Sequence, residues 1–228
     1  MPDTSHRNEP NPRGPTRQIA PFLAIVLSLA VMSTVFAQKV VQVSSSANHV
    51  LALREDGTVW SWGSNFSGQL GDGSNVNRTS PVQVVGLGGV VEIAAGTSHS
   101  LARKTDGTVW AWGSNLSGEL GDGTIGKARF EPKPVVGLAR VAQLRAGSQF
   151  SLVRTSDGAA WAWGSNFYGS LGDGGSIDRS LPVRVTSLAN VVAISATGRN
   201  AMALLGDRTV KVWGGNFFGA LGDGSSTP

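Results

Sequence analysis

A tryptophan pair that returns at nearly constant spacing constrains this chain more than any other feature. The string Thr58-Val-Trp-Ser-Trp-Gly-Ser-Asn-Phe-Ser67 comes back almost intact at 108–117 and, with drift, at 159–168 and 209–218. The second tryptophan of each pair recurs as Trp62, Trp112, Trp163 and Trp213, at steps of 50, 51 and 50. Self-similarity at a period near fifty residues marks a repeat architecture. Each unit is then a supersecondary module that buries its apolar faces against its neighbours, so most conspicuous residues are expected to serve packing.

Residues 40–228 align as four units: 40–89, 90–140, 141–190 and an incomplete 191–228. Each opens with an apolar stretch (Val40–Val43, Val90–Ala95, Val141–Ala146, Val191–Ala196), followed by a second (His49–Leu53, His99–Ala102, Phe150–Val153, Asn200–Leu204). A turn separates this from the tryptophan strand: Asp56-Gly57, Asp106-Gly107 and Asp157-Gly158, with the order reversed as Gly206-Asp207 in the fourth unit. Asp-Gly between apolar runs signals a hairpin, because both residues tolerate the positive φ of a tight primed turn. A Gly-rich loop and a Pro-led segment follow (Pro81–Val85, Pro132–Val136, Pro182–Val185). Each unit thus supplies about four short strands and no helix. The expected fold is all-β: a β-propeller of four-stranded antiparallel blades, three complete and one incomplete. Stacked blades explain strands that are apolar on both sides, and a proline suits the outer edge, where its missing N–H breaks no ladder bond.

The first forty residues are of another kind. Met1–Arg17 is polar and Pro-rich, and the uncharged Gln18–Gln38 contains the apolar run Phe22–Met32, expected to be helical. Val35-Phe36-Ala37 places small residues three before and one before a cut after Ala37, so 1–37 reads as a secretory signal peptide with a polar lead. The uncharged stretch is also just long enough to be an uncleaved membrane anchor. Both readings export the remainder, 38–228, to a secreted, periplasmic or cell-surface location, with membrane contact only through an uncleaved N-terminal segment. The chain has no cysteine, which excludes a disulfide framework, a thiolate metal site and a cysteine nucleophile. Its formal charge of +4 is scattered rather than clustered, so a nucleic-acid partner is not expected.

The motif Gly63-Ser-Asn-Phe-Ser-Gly-Gln-Leu-Gly-Asp-Gly73, repeated at 113–123, 164–174 and 214–224, follows D-G-x-V-W-x-W and precedes the Pro-led strand. Units of this length and pattern resemble the regulator of chromosome condensation repeat family across everything after residue 39. The resemblance implies a seven-bladed propeller and, as one function found in the family, guanine-nucleotide exchange on a small GTPase through a loop wedge on a complete ring. This sequence departs in number, with three complete units and a partial fourth, and it lacks a long wedge insertion. It is expected to be part of a longer product or an open stack whose bare blade faces favour self-association.

The repeat columns supply few candidates for chemistry. Trp60 and Trp62 share a strand face and are expected in the inter-blade core rather than on a ligand platform. His49 and His99 are continued by Phe150 and Asn200, which fits a structural column better than a metal or catalytic one. Adjacent His99 and Ser100 point to opposite sides of a strand, which bars a nucleophile–base pair within it. Asp72, Asp122, Asp173 and Asp223 offer one carboxylate per loop, too few for calcium, and are expected to cap turns. Gly121–Lys127 imitates a phosphate loop but has Ala128 where the metal-holding hydroxyl belongs. Asn65, Asn77 and Asn115 head Asn-x-Ser/Thr triplets, possible glycan acceptors in a eukaryotic exporter, although the column of Asn65, Asn115, Asn166 and Asn216 fits a turn-fixing amide better. No catalytic, cofactor-binding or metal residue is assigned. The loops that vary between units are the expected contact surface for a protein partner, with Arg78, Lys127, Arg129, Phe130, Asp178 and Arg179 as its candidate residues. The expected function is an exported, non-enzymatic interaction scaffold. The alternatives are an inhibitor of a secreted enzyme, anchored by Phe130, Phe167 or Tyr168, and the family's nucleotide exchange.

Overall fold

Residues 39–226 are described by the structure, a computed structural model. They form four antiparallel sheets, one per repeat unit. The first holds β1 (Val40–Ser45), β2 (His49–Arg54), β3 (Val59–Gly63) and β4 (Arg78–Gln83). The second holds β5 (Val90–Ala95), β6 (His99–Lys104), β7 (Val109–Gly113) and β8 (Arg129–Pro134). The third holds β9 (Val141–Ala146), β10 (Phe150–Thr155), β11 (Ala160–Gly164) and β12 (Arg179–Arg184). The fourth holds β13 (Val191–Thr197), β14 (Asn200–Leu205) and β15 (Val210–Gly214), followed by a single 3-10 turn at Phe217–Gly219. Strands are paired in chain order within each sheet, as the meander of a propeller blade requires. The apolar helix expected within 1–37 lies outside the described residues. Among the described residues no helix is long and apolar enough to cross a membrane.

The first strand of each unit is innermost. β1, β5, β9 and β13 together line a concave groove of about 490 Å³, whose walls include Gln42, Ser44, Glu92 and Arg145. Side chains staple these strands to one another. The Gln42 amide donates to Ile93 O at 3.0 Å and accepts from Ile93 N–H at 2.9 Å. Gln143 repeats the clasp on Ile194. Between the second and third blades the same column carries Glu92, which takes Arg103 and Arg145 at 2.9 Å each. The outermost strand is bulged: Val82 pairs with Ser61 and Arg78 with Gly63, which leaves Thr79, Ser80 and Pro81 out of register. The proline therefore lies inside the outer strand, in its bulge, rather than leading it.

Cohesion comes from the seams between blades. Leu51, Leu53, Val59, Val84 and Leu87 of the first blade enclose Val90, Ile93, Ala102 and Trp112 of the second. Equivalent sets fill the second and third seams. Burying a side chain of this size contributes about 1.5–3 kcal/mol. The second tryptophan of a pair is the key piece. Trp112 lies over Gly71 of the preceding blade, where an added Cβ would stand 2.7 Å from the indole nitrogen. Trp163 lies over Gly121 and Trp213 over Gly172 in the same way. The first tryptophans, Trp110 and Trp161, are half-buried at the margins of the seams. Trp60 lies beneath the Arg54 guanidinium and Trp110 beneath the Lys104 ammonium, each cation 3.9 Å from the ring centre.

The outward faces of the end blades show what a seam covers. Val43 is 67% exposed, whereas Ile93 in the same column is 2% exposed. Met202 and Val210 are exposed on the far side of the fourth blade.

The turn of the fourth unit is not reversed. Thr209 N–H and Oγ1 bond to Asp207 as those of Thr58 bond to Asp56, so Asp207 holds the aspartate position. Arg208 then takes the glycine position at φ 70°, against 76° for Gly57. A non-glycine side chain in this left-handed region is strained by about 1–2 kcal/mol.

Two stability outcomes follow. Arg208→Gly should relieve this strain at the cost of a more flexible unfolded chain, with a net gain of about 0.5–1 kcal/mol, read as a rise of a few degrees in Tm. Gly121→Ala places a methyl group against the Trp163 indole at φ 63°, and should cost about 2–4 kcal/mol in urea unfolding with a red shift of tryptophan emission. An unchanged midpoint would refute the close seating of the indole.

Candidate functional site

The histidine–serine column closes the seams. Trp112 Nε1–H donates to Gln69 O at 2.9 Å, and Ser100 Oγ–H donates to the same carbonyl at 2.8 Å. His49 Nε2 lies 2.9 Å from that serine oxygen. Because the serine proton is committed to the carbonyl, His49 must donate through Nε2, and its Nδ1 accepts from Ser46 Oγ at 3.1 Å. The next seam repeats the set apart from the Nδ1 bond, because Gly96 stands in place of Ser46: Trp163 and Ser151 donate to Glu119 O at 2.7 and 3.0 Å, with His99 Nε2 3.2 Å from Ser151 Oγ. The third seam keeps only Trp213 donating to Ser170 O at 3.0 Å, since Phe150 and Ala201 replace histidine and serine. The two His–Ser pairs have the elements of a nucleophile and a base, but His49, Ser100, His99 and Ser151 are all buried between sheets. Burial lowers the His49 pKa to about 4, and burial aided by His49 lowers that of His99 to about 3. Both rings are neutral hydrogen-bond struts.

A second repeated network occupies the loop after the third strand. Asn65 is buried; its amide donates to Asp72, Ser74 and Val76, and its oxygen accepts from Leu70 N–H at 2.9 Å. Asn115 is equally buried, so neither Asn65 nor Asn115 can accept a glycan in the folded chain. Asp72 also takes Ser74 N–H in an Asx turn and the Arg78 fork at 2.7 and 2.8 Å. Burial pushes its carboxyl up, but the bonds from Ser74 and Arg78 outweigh this and hold the pKa below the usual range. Arg129 grips Asp122 and Arg179 grips Asp173 identically. Three of the expected contact residues, Arg78, Arg129 and Arg179, therefore form a repeated structural ion pair. Asp178 Oδ1 accepts Asn166 N–H at 2.8 Å, the role Asn77 plays for Asn65. Phe130 covers Gly68 of the preceding blade while remaining 41% exposed, and Lys127 stands in solvent. The six candidates do not converge on one site.

What the repeats leave bare is apolar. The residue after each buried asparagine projects outward: Phe66 is 78% exposed, Leu116 68% and Phe167 73%. The returning loop adds exposed Val76, Ile125 and Ile177. Because Val76 O accepts from the Asn65 amide, the two apolar residues of the first blade flank one anchored loop. Each of the first three blades thus presents apolar side chains at the same end of its sheet, on loops braced by the buried asparagine and the Asp–Arg pair. These exposed apolar groups recur at one end of the scaffold and make that end the candidate contact face. Position-by-position reading of the repeat could have found it, since Phe66, Leu116 and Phe167 form one column. Sequence alone does not show which columns face water. Among the described residues no group of three His, Cys, Asp or Glu side chains converges as a metal site would require.

Comparison with known proteins places this geometry. A family model described as an RCC1-like domain matches residues 14–228. The ultraviolet-B receptor UVR8 of Arabidopsis thaliana is 30% identical over 152 residues, which cover 65% of this chain and 34% of the receptor. The E3 ubiquitin-protein ligase HERC2 of Mus musculus is 35% identical over 167 residues, covering 66% of this chain and 3% of the ligase. Human WBSCR16 superposes with a TM-score of 0.75 at 27% identity, over 84% of this chain and 52% of that one. Yeast RCC1 (Prp20), solved bound to Kap60, shares the fold with a TM-score of 0.75 at 23% identity, over 84% of this chain and 47% of that one. The chain thus spans about a third of the plant receptor's length and about half of these solved propellers.

The buried histidines make stability depend on pH in a definite sense. In the unfolded chain a histidine takes up a proton near pH 6.5, but the folded seams refuse it until about pH 4 for His49 and about pH 3 for His99. Their contribution is complete above 6.5 and is lost as pH falls, by about 1.4 kcal/mol per pH unit for each ring. Glu119, whose pKa burial raises, acts with the opposite sign. His99→Phe, which copies Phe150, should flatten the loss of Tm between pH 6.5 and 5. An unchanged slope would show that His99 is not the buried neutral strut described.

Proposed function

The chain belongs to the RCC1-like domain family, and on that premise we propose that it is an exported, non-catalytic scaffold that binds a protein partner through the apolar loop face. The exposure of Phe66, Leu116 and Phe167 in one repeat column carries this reading. Seams account for the tryptophans, histidines and serines, and ion pairs account for the loop arginines, but no packing role accounts for three large apolar side chains held in water. Exposing them costs solvation free energy that a partner would recover, with rigid loops limiting the entropy lost on binding. The inaccessible His–Ser pairs support a role without catalysis. The apolar segment before a small-residue cleavage pattern supports export, so the partner is sought outside the cytoplasm.

One experiment addresses both parts. A photo-crosslinking amino acid is placed at Leu116 on the apolar face, or at Asp106 in the turn at the other end of the same blade, in the full chain expressed in its native cells. Adducts from Leu116 and not from Asp106, on a product whose N-terminus is Gln38 or which remains in the membrane fraction, are expected. Equal adducts from both ends would overturn the assigned face, and an uncleaved product in the cytosol would overturn export.

A further inference from the structure

The junction of the third and fourth blades departs from the other two at the loop face. Arg199 stands where the earlier units have Asn48, Ser98 and Gln149. Its guanidinium carbon lies 4.6 Å from the Tyr168 ring centre and 5.3 Å from that of Phe217. Tyr168 meets Phe217 edge-on at 5.1 Å and Phe167 at 4.8 Å. Gly215 replaces the serine of Ser64, Ser114 and Ser165, and a Cβ there would come within 3.1 Å of the Phe217 ring. The missing side chain lets Phe217 fold inward to 37% exposure, half that of its repeat counterparts. Beside this cluster is a cavity of about 210 Å³, lined by Ser148, Gln149, Phe167, Tyr168, Ser170 and Arg199 among others.

The electrostatics of this cavity differ from the rest of the face. Arg78, Arg129 and Arg179 spend their forks on Asp72, Asp122 and Asp173. Arg199 has aromatic faces beside it, and among the described residues no carboxylate within ion-pair distance. Aromatic rings hold a guanidinium by its face and leave its edge donors for a planar acceptor. We propose that this cavity receives an aspartate or glutamate side chain of the partner protein, flanked on the partner by an apolar residue that packs on Phe167. The inference rests on the loop face being the partner surface and specifies the chemistry of one contact on it. The volume is below the roughly 300 Å³ at which cofactor-sized pockets begin and suits one side chain. A lone cation with its neighbours neutralised does not make the array that nucleic-acid phosphates require.

Tyr168 is the chain's one tyrosine, so ring-labelled ¹³C-tyrosine gives a single reporter inside the cluster. The full chain is titrated with the blocked peptides acetyl-Phe-Asp-Phe-amide and acetyl-Phe-Asn-Phe-amide, and with sodium phosphate. The acidic peptide should shift the Tyr168 resonance and bind about tenfold more tightly than the amide peptide at low salt, as expected for a hydrogen bond to a charged group. High salt should reduce that preference. Arg199→Gln, which copies Gln149, should abolish it. Gly215→Ser should weaken the acidic peptide through Phe217 while leaving Arg199 in place. Equal binding of the two peptides, a silent Tyr168 with both, or an equal response to phosphate alone would overturn the proposal. Such a result alongside Leu116 adducts would remove the acidic contact while leaving the loop face standing, whereas adducts absent from Leu116 would remove the face itself.

Discussion

The indole N–H bond to the preceding blade's loop carbonyl is the constraint on which the rest of the structure depends. It measures 2.9, 2.7 and 3.0 Å at the three seams. The acceptor is the residue two before the glycine on which the indole rests, so the same loop supplies both floor and acceptor. The tryptophan motif and the Gly-Asp-Gly motif, about ten residues apart in one unit, therefore serve different seams. A unit's tryptophan seats on the loop before it, and its glycine loop seats the tryptophan after it. Neither motif can drift alone without breaking a seam. Replacing the indole with another large apolar side chain would preserve buried area but leave a buried carbonyl short of a donor, an imbalance that costs about 1–3 kcal/mol.

This arrangement explains how much could be read from the chain alone. The blade number, the four-strand meander and the inter-blade place of Trp112, Trp163 and Trp213 were all visible, because each is written as a column with a fifty-residue period. The hydrogen-bond partners were not. His49 meets Ser100, not Ser46 alone, and Gln42 meets Ile93, each pair 51 residues apart with neither partner marked by type. Within-strand geometry correctly bars His99 from Ser100, yet says nothing about Ser100 reaching back to the blade before. The reversed Gly206-Asp207 turn was misread because composition was matched where position governs: the aspartate must precede the threonine it caps, and the left-handed position is then forced onto Arg208. Arg78, Arg129 and Arg179 looked variable because the loops before them differ in length, although their aspartate partners lie at fixed places in the repeat.

Stacking also determines where contacts with other molecules can be made. Both broad faces of an interior sheet are consumed by seams, and inner strands are stapled by glutamine and glutamate side chains. Sheet ends remain. At one end, Asp-Thr pairs close short hairpins with little projecting from them. At the other, longer loops are braced from beneath by buried asparagines and can carry exposed side chains without losing shape. The asymmetry of loop length, and not any single residue, makes that end the one able to hold a rigid contact surface.

Several substitutions relative to the earlier units fall together at the last junction. Phe150 and Ala201 remove the histidine–serine strut, and the seam keeps the indole bond, the Gln143 clasp on Ile194 and a bond from Ser170 Oγ to Arg199 O. Gly215 admits Phe217, Tyr168 replaces a serine, and Arg199 replaces a short polar residue, all within one loop cluster. If the only demand were cohesion, the smaller change would have been to retain the strut, since Ser100 and Ser151 already satisfy the same carbonyl column elsewhere. This seam lacks the buried histidine–serine bond, while its outer edge carries two ring–ring contacts and a cation.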